Sequence, residues 1–330
     1  MLGHESGFSP DGNTFYVSSL YAHTLAAVDL TDPSVPKILW ATGDYSPHGM
    51  SVSDDGNRLY IAEDAFSGGF SGLTVLDVSQ VQKRVLNPTV PIVSRLTWPH
   101  IGTPQNAMPF TQHGHPYLAE IDEFGSGDNI GAARIIDIAD EKKPFVVSLM
   151  RLAVNQAAAQ AGDEKNDPGA SGRFQGYRGH YCEIPTRVDP TIVACSFIMS
   201  GLRVFNIEDV QHPQEVAYFN PPVTSVGTEQ VKAGNFAMAA PAFVPERHEI
   251  WYSDGNNGFY AVRLTAAAKR ATAAGRGSAV ASGPRPAPAP HPAMPSSATL
   301  PTTGLSTTLP ATGLGLLAAA GLAVRRRRTT

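Results

Sequence analysis

A repeated pair of segments is the feature of this 330-residue sequence that most constrains its fold. The first segment is a hairpin, in which two apolar stretches flank a turn, as at residues 7–18 and 50–62, where the turn reads Asp-Gly-Asn. Gly and Asn tolerate the positive φ of tight turns, so Asp-Gly between alternating apolar residues favours a hairpin. Each such segment therefore predicts two antiparallel strands.

The second segment is a predicted strand in which apolar and polar residues follow one fixed order. It ends with a polar residue between two apolar ones. Its five copies are residues 24–30, 72–78, 132–138, 201–207 and 258–264. Asp29, Asp77 and Asp137 fill the same repeat position, which favours a structural role in the turn that follows. After the turn comes a further apolar stretch, such as residues 215–219.

Together these segments form a unit of four antiparallel strands that recurs along the chain. Repetition of such units around a central channel is how β-propellers remove free sheet edges. The sequence therefore predicts an all-β protein, a β-propeller with five visible four-stranded blades.

The third strand of each unit resembles the repeat of the LVIVD-repeat proteins, since it reads TVLDV at residues 74–78 and RIIDI at residues 134–138. The resemblance covers about residues 4–264. It implies a bacterial surface propeller, and propellers of this kind more often have seven blades. We therefore expect two further blades and a signal peptide upstream of Met1, with a closed five-bladed ring as the alternative.

The C-terminal part of the chain differs in composition and charge from the rest. All 29 acidic residues lie at or before Asp254, and closely spaced prolines occupy residues 284–295. Alternating prolines favour an extended, disordered stalk. We predict a propeller domain at 1–265, a disordered Ala/Pro-rich linker at 266–299 and a sorting signal at 300–330. The acidic propeller argues against nucleic acid as a partner, since phosphate binding needs clustered Lys and Arg.

The last 31 residues resemble a cell-wall sorting signal of Gram-positive bacteria, in which an LPxTG pentapeptide precedes an apolar stretch and a basic end. The apolar stretch is residues 314–324, which predicts a short apolar helix that enters the membrane, and four arginines follow it. The resemblance implies cleavage by a sortase at Thr312 or, less favoured, at Thr303. The two pentapeptides are Leu309-Pro310-Ala311-Thr312-Gly313 and Leu300-Pro301-Thr302-Thr303-Gly304.

Cys182 and Cys195 are the only cysteines of the sequence, and they flank one predicted hairpin turn at similar distances. Residues that face each other on adjacent strands bring their Cβ atoms close enough for a disulfide. An exported protein retains such a bond. We predict a disulfide between them, and two buried free thiols are the alternative.

Histidines recur just before the innermost strand of a blade. Aligning the first two hairpins places His4 opposite His48, while His180 and Asn106 fall at this position in the fourth and third units. Three imidazoles at the mouth of the central channel can bind a transition metal or an anion. The alternative is that each histidine satisfies backbone groups where a blade begins.

A second polar cluster follows the turn His113-Gly114-His115, with Glu120, Asp122 and Glu123 on the next strand. A metal site is one interpretation of this pattern, and a solvated turn is the other. The sequence contains no GxSxG, HExxH, CxxC or Walker motif. We therefore assign no catalytic and no cofactor-binding residue from the sequence.

These observations favour a non-catalytic cell-surface propeller, a binding or scaffold module for a protein or carbohydrate ligand. The alternative is an exported metal-dependent hydrolase or oxidase that uses the histidines of the channel mouth. We expect a monomer at the surface or cell wall of a Gram-positive bacterium, held at the membrane through its short C-terminal segment.

Overall fold

The computed structural model describes residues 4–65, 69–124, 131–159, 161–162, 166, 176–222 and 234–269. They belong to one compact unit, Met1–Ala281. The predicted linker beyond residue 269 and both LPxTG-like pentapeptides lie outside the described residues.

The structure consists of five antiparallel sheets that follow one another along the chain. Four sheets have four strands, and the described part of the fifth has three. In the first sheet the strands are β1 (Ser6–Phe8), β2 (Thr14–Ser19), β3 (Thr24–Asp29) and β4 (Lys37–Thr42). In the second they are β5 (Pro47–Val52), β6 (Arg58–Glu63), β7 (Gly72–Asp77) and β8 (Ile92–Leu96).

The remaining sheets repeat this order. The third contains β9 (Pro104–Gln112), β10 (His115–Asp122), β11 (Ala133–Asp137) and β12 (Phe145–Met150). The fourth contains β13 (Tyr181–Glu183), β14 (Ile192–Phe197), β15 (Gly201–Asn206) and β16 (Gln214–Phe219). The fifth contains β17 (Ala242–Val244), β18 (Glu249–Asp254) and β19 (Gly258–Val262). In each sheet, sequential strands are hydrogen-bonded neighbours.

Helices are short among the described residues. They include α1 (Ser79–Gln82), α2 (Ala157–Ala159) and the 3-10 turns Ala153–Asn155 and Pro245–Arg247. No helix of the described ranges is long and apolar enough to cross a membrane.

The repeated turn chemistry explains why the blades share one geometry. Gly12 and Gly56 adopt φ values of 72° and 73° in the first hairpin turns, a conformation that glycine adopts without strain. The Asp77 carboxylate accepts a hydrogen bond from the backbone N–H of Ser79 at 2.9 Å, and Asp137 accepts one from Ala139 at 2.9 Å. The repeated Asp is therefore structural, because its side chain starts the turn after the third strand.

The hydrophobic core lies between neighbouring sheets. Four clusters of buried residues join the first sheet to the second, the second to the third, the third to the fourth, and the fourth to the fifth. Serine hydroxyls support the same contacts: Ser51 donates to the carbonyl of Ala107, and Ser196 to that of Ala239 at 2.6 Å. A groove of about 790 Å³ opens between the fourth and fifth sheets, lined by β15, β16, β18 and β19 and away from the innermost strands.

Candidate active site at the channel mouth

The innermost strands of the first four sheets begin near one another, and irregular pairing directs polar side chains to this place. In the second sheet the register shifts between Pro47 and Gly49, so His48 lies in a bulge of the ladder. In the third sheet Asn106 pairs with Ile121 and Pro104 with Asp122, which places Gln105 in a similar bulge. A β-bulge redirects its extra residue. Gln105, and not the predicted Asn106, therefore occupies the position equivalent to His48.

The first and fourth sheets show related irregularities. The backbone N–H of His4 donates to the Ser18 carbonyl while the Ser18 N–H donates to Glu5. In the fourth sheet the His180 N–H donates to the Ser196 carbonyl, although Ser196 is paired with Tyr181. Each of these two strands therefore contributes two neighbouring side chains. We define the channel mouth as His4, Glu5, His48, Asp64, Gln105, Glu123, His180 and Tyr181.

Two of the predicted histidines face one carboxylate at this mouth. The Nε2 atom of His48 lies 3.3 Å from Oε2 of Glu123, and the Nε2 atom of His180 lies 3.3 Å from Oε1 of the same residue. The Glu123 side chain is 7% exposed, and those of His48 and His180 are 4% and 13% exposed. The third predicted histidine, His4, stacks on His48 with ring centroids 4.9 Å apart.

Backbone carbonyls fix the orientation of both imidazoles. Nδ1 of His48 lies 2.9 Å from the Pro104 carbonyl oxygen, and Nδ1 of His180 contacts the Met238 carbonyl. A carbonyl only accepts hydrogen bonds, so in both rings Nδ1 carries the hydrogen. Nε2 is therefore the ring atom that each imidazole turns toward Glu123. The cluster therefore brings two oriented imidazoles and one carboxylate together at a buried place.

Burial distinguishes the two imidazoles. Desolvation of the ring, followed by the neighbouring imidazole of His4, lowers the pKa of His48 to about 3, although its hydrogen bond to Pro104 acts in the opposite direction. His48 is therefore neutral at physiological pH. His180 is the more exposed of the two rings that contact Glu123.

A hydrogen-bond network crosses the mouth between three blades. The Tyr181 hydroxyl donates to Oε1 of Glu5, and Nε2 of Gln105 lies 2.8 Å from the Tyr181 oxygen and 3.4 Å from Glu5. Burial raises the pKa of Glu5, and the Tyr181 hydrogen bond only partly offsets this effect. Burial also raises the pKa of Tyr181, so this phenol remains a hydrogen-bond donor.

Asp64 adds a further buried carboxyl group beside Glu123. Its backbone N–H donates to the Ser46 carbonyl at 3.2 Å, next to the start of β5. Burial, followed by the negative charges of Glu123 and Asp122, raises the pKa of Asp64 to about 6. The mouth is thus rich in acceptor oxygens and carboxyl groups.

Close backbone packing holds Glu123 in place. A Cβ atom on Gly131 would lie 1.9 Å from the Glu123 carbonyl oxygen, and one on Gly102 would lie 2.0 Å from that of Phe124. A Cβ on Gly179 would lie 2.4 Å from the Ile121 side chain. Real Cβ atoms do not approach other atoms this closely, so only glycine fits at these positions. Three glycines from different segments therefore confine the chain that carries Glu123.

A buried ion pair anchors the residue before Glu123. Arg134 is 2% exposed, and its guanidinium donates to Asp122 at 2.8 Å and to Glu120. The indole of Trp98 donates to Asp122 at 3.1 Å, and the guanidinium lies 4.2 Å from the ring centroid. Burial raises the pKa of Glu120 well above its ordinary value. The buried cluster of Arg134, its two carboxylate partners and Trp98 therefore supports the end of β10.

The opposite end of the innermost strands is closed by a loop of the fourth blade. The Arg187 guanidinium donates to the Val52 carbonyl at 2.9 Å and to Asp54 at 2.6 Å. Its carbonyl accepts a hydrogen bond from the N–H of Thr111 at 2.8 Å. We call residues 187–189 the Arg187 loop; it links the second, third and fourth blades.

Sequence reasoning located the histidines of the mouth but not its carboxylates. The predicted cluster around His113 is divided, because His115 pairs with Asp137 at 2.8 Å at one end of β10 and Glu123 follows the other end. The repeat offered a signal for the carboxylates. The position just after the second strand of a blade holds an acidic residue in the second blade, Asp64, and in the third blade, Glu123.

The metal site proposed for His4, His48 and His180 stays a prediction. Among the described residues, no group of three or more His, Cys, Asp or Glu side chains is arranged to hold a metal ion. His48 and His180 each face a different oxygen of Glu123, and His4 packs against the His48 ring.

The predicted disulfide between Cys182 and Cys195 is confirmed. The two residues are directly opposite in the β13–β14 ladder and are almost fully buried. The bond follows Tyr181 in sequence, so it joins the strand that carries two residues of the mouth to its neighbour.

Comparisons with known proteins establish the fold. No family model and no curated protein sequence matches the chain. Among solved structures, the chain is similar to a periplasmic gluconolactonase from Pseudomonas aeruginosa, with a TM-score of 0.55 and 14% identity over 80% of this chain and 68% of that one. It is also similar to a protein from Lactobacillus plantarum, with a TM-score of 0.56 and 11% identity over 80% of this chain and 67% of that one.

The prediction of an all-β propeller of four-stranded sheets is confirmed. The described chain thus has a β-propeller fold similar to that of these two solved structures. The prediction of a non-catalytic binding or scaffold module is wrong, and so is the preference for a protein without enzymatic activity that went with it. The finding that overturns both is the likeness to a gluconolactonase, which is an enzyme.

Proposed function

We propose that this protein is a hydrolase that opens lactone rings at the channel mouth. The observation that carries the proposal is the contact of His48 and His180 with Glu123, which unites two oriented imidazoles and a carboxylate at one buried place. The activity named for the Pseudomonas aeruginosa structure supports the choice of a lactone as substrate. The fold alone does not determine a reaction, so the site is the main argument.

Lactone hydrolysis adds water to the ring carbonyl carbon and breaks the ring C–O bond. One proton of the water must go to a base, and the released alkoxide must receive a proton. The pair of His180 and Glu123 takes the proton from water, because the His180 Nε2 atom and the Glu123 Oε1 atom lie 3.3 Å apart and each can accept a proton. Glu5, whose pKa burial raises, donates a proton to the ring oxygen.

A direct test is hydrolysis of glucono-δ-lactone by the purified protein, followed in a pH-stat. His180→Ala removes one partner of the proposed base, and we expect kcat/KM to fall at least about 100-fold. His212→Ala is the matched control, since His212 is exposed and pairs with the neighbouring Asp209 at 3.0 Å, away from the mouth. A wild-type rate equal to spontaneous hydrolysis, or equal rates for both variants, would refute the proposal.

We further propose that the protein belongs with the LVIVD-repeat propellers and that it is exported. The repeats at residues 74–78 and 134–138 support the first point, and the buried disulfide supports the second, since disulfides persist in oxidising compartments. Retention at a Gram-positive cell wall through the pentapeptide ending at Gly313, with a sortase as partner, is the corresponding proposal for the tail. Release of a Thr312→Ala variant into the medium, compared with wall-linked wild type, is the expected result; equal distribution would contradict it.

A further inference from the structure

One oxygen atom of the Glu5 carboxyl group faces donors from two other blades. The Tyr181 hydroxyl of the fourth blade donates to Oε1 of Glu5, and Nε2 of Gln105 in the third blade lies 3.4 Å from the same atom. The Gln105 Nε2 atom also lies 2.8 Å from the Tyr181 oxygen. Gln105 is fully buried, and Glu5 and Tyr181 are half-buried. The three side chains therefore form a closed triangle of contacts that joins the first, third and fourth blades.

The chemistry of the donors fixes the direction of each hydrogen bond. A side-chain amide donates only through its nitrogen, so Gln105 donates to Tyr181 and to Glu5, and a reversed amide would place its oxygen against a carboxylate. The phenol has one hydrogen, and Glu5 is its acceptor. Both lone pairs of Oε1 are then used by donors.

The two oxygens of this carboxyl group are therefore not equivalent. No described residue donates a hydrogen bond to the other oxygen, Oε2. A protonated carboxyl group carries its single hydrogen on one oxygen, and the other becomes the carbonyl oxygen. Because Oε1 of Glu5 is already an acceptor, the hydrogen is favoured on Oε2.

We propose that Tyr181 and Gln105 are positioning residues, which keep Oε1 of Glu5 as an acceptor and so place its transferable proton on Oε2. This inference rests on the proposed lactone hydrolysis, in which Glu5 donates a proton to the ring oxygen, and it names the donating atom. Tyr181 and Gln105 neither give nor take a proton in the reaction. They prevent the carboxyl group from turning and from carrying its proton on the wrong oxygen.

The ionisable groups that act on Glu5 are Tyr181, His4, His180 and Glu123. Burial raises the pKa of Glu5, and the charge of Glu123 acts in the same direction, whereas the Tyr181 hydrogen bond and the two histidines lower it. Removal of the Tyr181 hydroxyl should therefore raise the pKa of Glu5 further, because the carboxylate loses a donor that stabilises its charge.

The first test is the pH dependence of glucono-δ-lactone hydrolysis by Tyr181→Phe. We expect kcat at the optimum to fall about three- to tenfold with little change in KM, because the hydroxyl acts on the acid and not on the lactone. The decline of kcat/KM on the alkaline side should move to higher pH, since the acid must be protonated.

Tyr16→Phe is the matched control for this variant. Tyr16 is fully buried, and its hydroxyl has no partner among the described residues, so its removal breaks no hydrogen bond there. We expect the wild-type pH profile. An alkaline limit that stays in place in Tyr181→Phe, as in Tyr16→Phe, would overturn the inference while leaving the proposed hydrolysis intact.

A second pair of variants tests the part played by Gln105. Gln105→Met removes the amide at similar volume and keeps the Tyr181 hydroxyl, so we expect a smaller shift in the same direction. Gln112→Met is its control, because Gln112 lies at the other end of β9 and is 6% exposed. A shift in both variants, or in neither, would show that the contacts of Gln105 do not position the acid.

Infrared difference spectra between low and high pH separate this inference from the proposed reaction. The C=O band of protonated Glu5 is identified by its loss in Glu5→Gln. A hydrogen bond to a carbonyl oxygen lowers the stretching frequency, so the band should move to higher wavenumber in Tyr181→Phe and stay in place in Tyr16→Phe. That shift without turnover of the lactone would support the assignment of the proton to Oε2 and refute the hydrolase, whereas an unchanged band would overturn the inference.

Discussion

The two ends of the innermost strands are built for different purposes. At the channel mouth, the Glu123 carboxylate lies 3.3 Å from the Nε2 atoms of two imidazoles, those of His48 and His180. At the other end, Arg187 binds a backbone carbonyl and the exposed Asp54. An arginine keeps its charge at every physiological pH. One end of the same strands thus holds the titratable groups of the proposed active site, and the other holds a link between blades.

Loss of the Glu123 carboxylate is the largest expected effect and tests the comparison most directly. Glu123→Gln keeps the side-chain volume but removes the carboxylate of the proposed base. We therefore expect kcat/KM on glucono-δ-lactone to fall about 10²–10⁴-fold. Arg187→Gln should change it less than about twofold. A similar loss in both variants would mean that the two ends do not differ in function.

The glycine contacts at the mouth provide the next test. Gly131→Ala would place a methyl group 1.9 Å from the Glu123 carbonyl oxygen, so the chain must shift. We expect urea denaturation to show a loss of about 2–4 kcal/mol in the free energy of unfolding, together with reduced activity. Gly43→Ala, whose Cβ would meet its nearest neighbour at 3.8 Å, should behave as wild type. Wild-type stability of Gly131→Ala would contradict the packing argument.

Acidification should lower the free energy of unfolding, because His48 is buried at the channel mouth. Its pKa is lowered to about 3 in the folded protein and is about 6.5 in an unfolded chain, so the unfolded state binds more protons between these values. The contribution of His48 to the free energy of unfolding is therefore fully present above about pH 6.5. It is lost as the pH decreases toward 3, by up to about 1.4 kcal/mol per pH unit. Unfolding curves at several pH values should show this slope in Arg187→Gln and a smaller one in His48→Gln. Identical slopes in both variants would exclude His48 as the cause.

The smallest effect is expected for stability at the other end. Arg187 and Asp54 are 35% and 67% exposed, and exposed ion pairs contribute little. Arg187→Gln should lower the free energy of unfolding by about 0.5–1 kcal/mol, as measured by chemical denaturation. A loss above about 3 kcal/mol would show that the Arg187 loop is a principal support of the fold.

The sequence was sufficient to predict the blades because their signals are local. The turn glycines Gly12 and Gly56 and the repeated Asp77 act on their immediate neighbours, so spacing reveals them. The disulfide was predictable for the same reason, since its cysteines face each other across one hairpin.

The site was only partly predictable because its contacts connect distant parts of the chain. His48 and Glu123 are 75 positions apart in sequence, and no local pattern indicates that they meet. The bulge at Gln105 also shifted the register by one residue, which is why Asn106 was aligned with the histidines instead. The groups that join blades became visible only in three dimensions.

The bulges at His48 and Gln105 also bear on how such a protein can acquire new specificities. A bulged residue can be replaced while the strand pairing on both sides of it is kept. These positions therefore form a small set of exchangeable sites around one opening, supported by a framework that stays the same. Variants at these two residues are the natural starting point for changing which ligands the channel mouth accepts.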